Sequence, residues 1–123
     1  MITSNDVEES FLKKYIYEIN GIEAGVKPSS ILIVNSNKIE FLNKLLKSRG
    51  FYCRVSDSEY HGNGYLSLYI SKYEKTVDEL RKTDIFFQKN YNVYGMKSKQ
   101  MKSAFLKKGR LLGYPECCSK YFL

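Results

Sequence analysis

No apolar run in this chain exceeds a few residues; the strongest is Ile31-Leu32-Ile33-Val34. A membrane-crossing helix needs about 20 such residues, so none is expected, and no membrane partner with it. The opening residues, Met1-Ile2-Thr3-Ser4-Asn5-Asp6, lack the basic-then-apolar order of a secretory signal. Cysteine is scarce and badly arranged for cross-linking: there are three, an odd number, and two of them are adjacent. Without an export signal, the expectation is reduced thiols in a cytoplasmic protein. The single histidine, His61, has no placed Asp and nucleophile to make a triad. Gly62-Asn63-Gly64 is too short for a phosphate loop and is not followed by Lys-Ser/Thr.

Acid is also missing from one place. Between Asp84 and Glu116 there is no carboxylate, while seven basic residues fall there: Lys89, Lys97, Lys99, Lys102, Lys107, Lys108 and Arg110. Those seven account for the whole net charge of +7, because the other 13 basic residues are balanced by 13 acidic ones. A localised field of this kind steers an anionic partner. Its bland alternative is a solvated lysine-rich helix face.

What is present reads as one globular domain, residues 1–123. A chain of this length buries roughly two-thirds of its unfolded surface, and 43% apolar with 27% charged residues is a folding composition. Val7, Phe11, Leu12, Tyr15, Ile16 and Ile19 recur at helical spacing, with Asn5 placed as an N-cap and Gly21 as the stop. Ile31 to Val34 is a short buried strand. A helix follows, with capping-box spacing at Asn37–Glu40, one face marked by Ile39, Leu42, Leu45 and Leu46, and Gly50 just past its end. Phe51-Cys53-Val55 and Leu66-Leu68-Ile70 alternate with more polar residues, as strands do. A tight turn at Asn63-Gly64 would put Asp57 and Glu59 on the core face, so a looser loop over Asp57 to Gly64 is preferred.

Ser71-x-x-Glu74 and Thr76-x-x-Glu79 have the spacing of helix starts, with Val77, Leu80 and Phe87 as the buried face and a break at Asn90–Gly95. Met101, Ala104 and Phe105 mark another helix, ended by Gly109, and Pro115 suits the first position of a last short one. The order α-β-α-β-β-α-α-α is that of an α+β fold. Its small three-stranded sheet contains most of a split β-α-β (ferredoxin-like) core without the final strand.

Two constellations carry chemistry. With Pro115 opening a helix, Cys117 and Cys118 lie in its first turn, where free amides and the helix dipole favour a thiolate. Lys108 and Arg110 upstream would add to that and draw in an anionic ligand, with Tyr114 and Pro115 shaping the turn. A thiol nucleophile, a redox sensor and a soft-metal ligand all remain open, as does a plain buried cysteine, and Glu116 opposes ionisation. No cofactor is named by these residues. A Cys3His zinc set from Cys53, His61, Cys117 and Cys118 is not expected, because Cys53 shares a strand face with Phe51 and Val55 and there is no Cys-x-x-Cys or similar zinc-type ligand pair.

The second constellation is aromatic and basic. Tyr52, Arg54, Tyr65 and Tyr69 share the sheet face opposite the aliphatic one. If helices cover one face alone, these side chains are free to stack single-stranded RNA while Lys99, Lys102 and Lys107 hold phosphates. The N-terminal helix, whose apolar stripe needs a partner, competes for that face. A non-catalytic interaction domain built on exposed aromatics is the third reading.

Leu111-Leu112-Gly113-Tyr114-Pro115-Glu116-Cys117-Cys118-Ser119-Lys120-Tyr121-Phe122 resembles the Leu-Gly-Tyr-Pro-x-Cys-Cys-x-x-aromatic-Phe signature of an uncharacterised, largely archaeal family, domain of unknown function 483. The resemblance covers about a tenth of the chain and supplies no activity. It implies that the motif recurs as a unit and that longer relatives continue past Leu123.

Overall fold

Leu32 and Val34 point one way from their strand into one packed layer, and Ile31 points the other way into a second. In the computed structural model, which describes residues 12–59, 62, 64–95 and 97–121, the chain runs α1 (Ile16–Glu23), β1 (Ser29–Asn35), α2 (Ser36–Ser48), β2 (Tyr52–Val55) and β3 (Tyr65–Ser71). It continues through α3 (Glu74–Tyr94), α4 (Lys99–Leu111) and α5 (Glu116–Tyr121). The order is the expected α-β-α-β-β-α-α-α, and the fold is α+β. Val7, Phe11 and the Asn5 cap lie outside the described residues, as do His61 and Asn63. Among the described residues, no helix is long and apolar enough to cross a membrane.

β3 lies between β1 and β2 and is antiparallel to both, which makes the outer strands parallel to each other. That is the split β-α-β order. The β2–β3 register pairs Cys53 with Ile70 and Val55 with Leu68, so the connection is the looser loop and not a two-residue turn at Gly64. Asp57 is thereby kept off the core and meets Arg81 and Lys89 at the surface.

The aliphatic face of the sheet carries Leu32, Val34, Cys53, Leu68 and Ile70, packed against Tyr15, Ile19 and Ile22 around α1 and Leu42 and Leu46 of α2. α2 starts where the Asn35 side chain accepts a hydrogen bond from the Asn37 amide (3.0 Å), two residues before the capping box read from the sequence. α1 does not stop at Gly21. It passes through it, and the chain turns at Gly25, whose φ of 74° is left-handed.

The opposite face is covered as well. Tyr69, fully buried, packs with Val77 and Leu80 of α3, and Ile31, Leu111 and Leu112 close around them. The helix after the split β-α-β unit has crossed to the far side of the sheet and covers the tyrosine face there, while the described part of the N-terminal segment packs on the aliphatic face. Small residues make room for this layer. Ser29, Ser67 and Ser71 are buried there, and two of their hydroxyls donate to main-chain carbonyls, Ser71 to Pro28 (2.8 Å) and Ser29 to Leu111.

α4 ends in a Schellman turn: the Tyr114 amide donates to the Gly109 carbonyl (2.8 Å) and the Gly113 amide to that of Arg110 (3.1 Å). Gly109 therefore lies inside the helix, and Gly113, at φ 84°, is the residue that stops it. A Cβ at Gly113 would sit 2.6 Å from Lys27 Cβ and 3.2 Å from its Cα, whereas one at Gly25 would meet nothing within 4 Å. Gly25→Ala should therefore cost only the left-handed backbone, about 1–2 kcal/mol. Gly113→Ala should cost clearly more in a urea titration, because the α4–α5 turn must also lift off the α1–β1 loop. Equal losses would contradict this packing.

Candidate anion-binding groove and the vicinal thiols

α3 and α4 lie antiparallel, with Phe87 meeting Phe105 (ring centroids 6.2 Å apart) and Asp84 meeting Lys108. The joint between them is charged. Asp84 is 2% exposed, and its Oδ2 accepts a hydrogen bond from the Tyr69 hydroxyl at 2.5 Å. Its Oδ1 makes no well-angled hydrogen bond; what faces it is the Lys108 ammonium at 2.7 Å, as an ion pair. Lys108 also lies over the Phe87 ring, 5.1 Å from its centroid. Lys108 is thus engaged in the interior joint with Asp84 and Phe87, and is not the free cation that the sequence reading used to draw in a ligand.

The outer side of the same helix pair forms a groove of about 550 Å³. Lys82, Thr83 and Phe86 of α3 and Lys99, Gln100, Ser103, Ala104 and Lys107 of α4 line it. Helical spacing explains the convergence: positions 99, 103 and 107 lie a turn apart on one flank of α4, as do 82 and 86 on α3. Lys82, Lys99 and Lys107 are exposed, Phe86 is 41% exposed, and no carboxylate is among the lining side chains. A second hollow of about 280 Å³, lined by Asn90, Ser98 and Met101, shares Phe86 and Gln100 with the first and lengthens the groove toward the α3–α4 turn. At the other end, past Lys82, Glu74, Asp78 and Glu79 bound the cationic stretch. Such a surface offers ammonium groups to phosphates and one aromatic face to a base or ring.

Of the residues read from the sequence, Lys99 and Lys107 come together here. Arg110 is exposed one turn beyond Lys107, and two beyond Ser103, on the same flank of α4. Lys102 is exposed but outside the groove. The tyrosine face does not take part. Tyr69 is sealed under α3, Arg54 is held by Asp78 (2.9 Å), Tyr65 is half-buried, and Tyr52 alone of the four is exposed, on an edge strand. Lys82 and Phe86 were missed, although Lys82 and Phe86 stand four residues apart at the border of the acid-free stretch.

The thiols lie on a different part of α4's surroundings. Pro115 precedes α5 and its carbonyl accepts from the amides of Cys118 (3.0 Å) and Ser119 (3.2 Å). Ser119 is buried against Gly109, where a Cβ would fall 2.4 Å from its hydroxyl oxygen, and this anchors the short helix. Cys117 and Cys118 are both exposed, in the first turn as expected, and Tyr114 is exposed beside them. A hydrogen bond with Cys117, together with the charge of that neighbour, pushes the Cys118 thiol above its ordinary 9.0. That direction is opposite to the one the helix start favours. Cys53 is buried in the aliphatic core, and burial pushes its thiol up to about 11. No known protein family, curated protein or solved structure matches this chain.

Proposed function

We propose that this protein is an RNA-binding module that holds single-stranded RNA in the α3–α4 groove. The reading is carried by one observation: three exposed lysines and a half-exposed phenylalanine around an elongated groove that no carboxylate lines. Lys82, Lys99 and Lys107 supply the phosphate contacts, Arg110 extends them, and Phe86 stacks a base. The site differs from the tyrosine face considered from the sequence, but the lysine-rich helix is common to both. The test is binding of a short single-stranded RNA across a salt series. Affinity should fall with salt at a logarithmic slope of about −0.7 per phosphate contacted, or about −2 for three lysines. Absence of salt-dependent binding would end the proposal.

A second reading rests on the exposure of both vicinal sulfurs. The Tyr114–Cys118 turn is an accessible dithiol site, suited to a reducing compartment such as the cytoplasm. Under native conditions two thiols should alkylate readily and the third, Cys53, only after unfolding. Reaction should slow as the pH drops below the raised Cys118 value. Slow reaction of all three would remove this reading.

A further inference from the structure

We propose that Cys117 and Cys118 form a two-sulfur chelate for a trivalent thiophilic metalloid, of the arsonous type R–As(OH)2. The inference rests on the accessible-dithiol reading above and adds the class of ligand.

Coordination number comes first. Among the described residues, no group of three or more histidine, cysteine or carboxylate side chains converges on one point. Zinc in a structural site wants four protein donors, so two thiols alone supply half of what it needs. A trivalent metalloid that keeps its own substituent needs two. The two thiols are carried by successive residues and both are exposed, so rotation about their side chains can bring them onto one arsenic in the bent S–As–S arrangement. A linear two-coordinate cation would need its sulfurs on opposite sides.

The pair also stays reduced. Successive Cα atoms are about 3.8 Å apart, shorter than the roughly 4.4–6.8 Å that disulfides span. Joining neighbours therefore closes a strained ring. Cys53 is buried in the core and unavailable as a third sulfur or a resolving thiol. The frame is fixed by the Schellman turn on one side and by Ser119 against Gly109 on the other, so the sulfurs are presented together on an exposed turn.

The reaction balances without an oxidant. Two As–S bonds form and two As–O bonds break. The two thiol protons leave with the two hydroxides as water, and arsenic stays trivalent.

The experiment uses phenylarsine oxide, which hydrates to the required form, on the full chain. Native mass spectrometry should show one adduct that protects two thiols from alkylation at once. That adduct should survive a monothiol wash and be removed by a 1,3-dithiol. Cys117→Ser and Cys118→Ser should each lose retention at least ten-fold, while Cys53→Ser should retain it. Equal retention by the single-thiol variants would overturn the chelate, as would free alkylation of both thiols in the presence of the reagent. Thiols that fail to alkylate even without the reagent would instead overturn the accessible-dithiol reading beneath it.

Discussion

Lys108→Met should destabilise the fold by about 3 kcal/mol, the cost of leaving a buried carboxylate without its counter-charge. Asp84 is 2% exposed and would retain only the Tyr69 hydroxyl. The methionine keeps the length and apolar contact of the lysine stem over Phe87, so loss of packing does not explain the deficit. For a domain of this size the shift in Tm is on the order of 10 °C. The double variant Asp84→Asn/Lys108→Met should recover part of the loss, because no unpaired charge is left inside; Asn still accepts from Tyr69. Tyr69→Phe should cost less, about 1.5–3 kcal/mol, for one hydrogen bond to a charged group. Urea denaturation of the set checks this. A Lys108→Met protein within 1 kcal/mol of the parent would show that the ion pair does not tie α4 to α3.

Lys82→Gln/Lys99→Gln/Lys107→Gln should take about 2 off the logarithmic salt slope of RNA binding, since each lysine accounts for about 0.7. At 0.1 M salt that is a loss of roughly 100-fold in affinity. All three side chains are exposed, so the fold should be nearly unaffected, within about 0.5 kcal/mol per site. Lys102→Gln, on the same helix but outside the groove, should change the slope little. Phe86→Ala should weaken binding by about 1–3 kcal/mol and leave the slope unchanged, because stacking releases no counterions. An unaltered slope in the triple variant would place the phosphate contacts elsewhere.

The order of elements was legible because periodicity carries it: Leu42 and Leu46 mark α2, Val77 and Leu80 mark α3, and the alternation of Cys53 and Ile70 with their neighbours marks β2 and β3. The stops were less legible. Gly21 and Gly109 sit inside helices because a missing Cβ there admits a neighbour, Lys27 in one case and Ser119 in the other. Gly25 and Gly113 are the stops because they adopt left-handed φ. Sequence alone does not separate a glycine needed for space from one needed for its dihedral.

The second face of the sheet could be read as covered, with the N-terminal helix as its cover, but which helix covers it was not legible: α3 does. Its serines and tyrosines tolerate burial because each buried hydroxyl can find a partner inside, as Tyr69 does at Asp84 and Ser29 at Leu111. A signal for this was present. Asp84 occupies a stripe position with Val77, Leu80 and Phe87, where a carboxylate implies either exposure or a buried partner. The lysine-rich stretch stands out in the sequence, but the opposite wall of the groove does not. Lys82 and Phe86 come from the preceding helix, and only the hairpin of α3 and α4 brings them opposite Lys99 and Lys107.

The claim on which the functional account depends is that the α3–α4 groove holds the nucleic acid. Titrating isotope-labelled protein with a short single-stranded oligouridylate and following amide shifts tests it most directly. The account predicts that Lys82, Thr83, Phe86, Gln100, Ser103 and Lys107 move together at low salt and return as salt is raised. Shifts confined to the edge around Tyr52 and Tyr65, or none at concentrations where the lysines should be half-saturated, would contradict it.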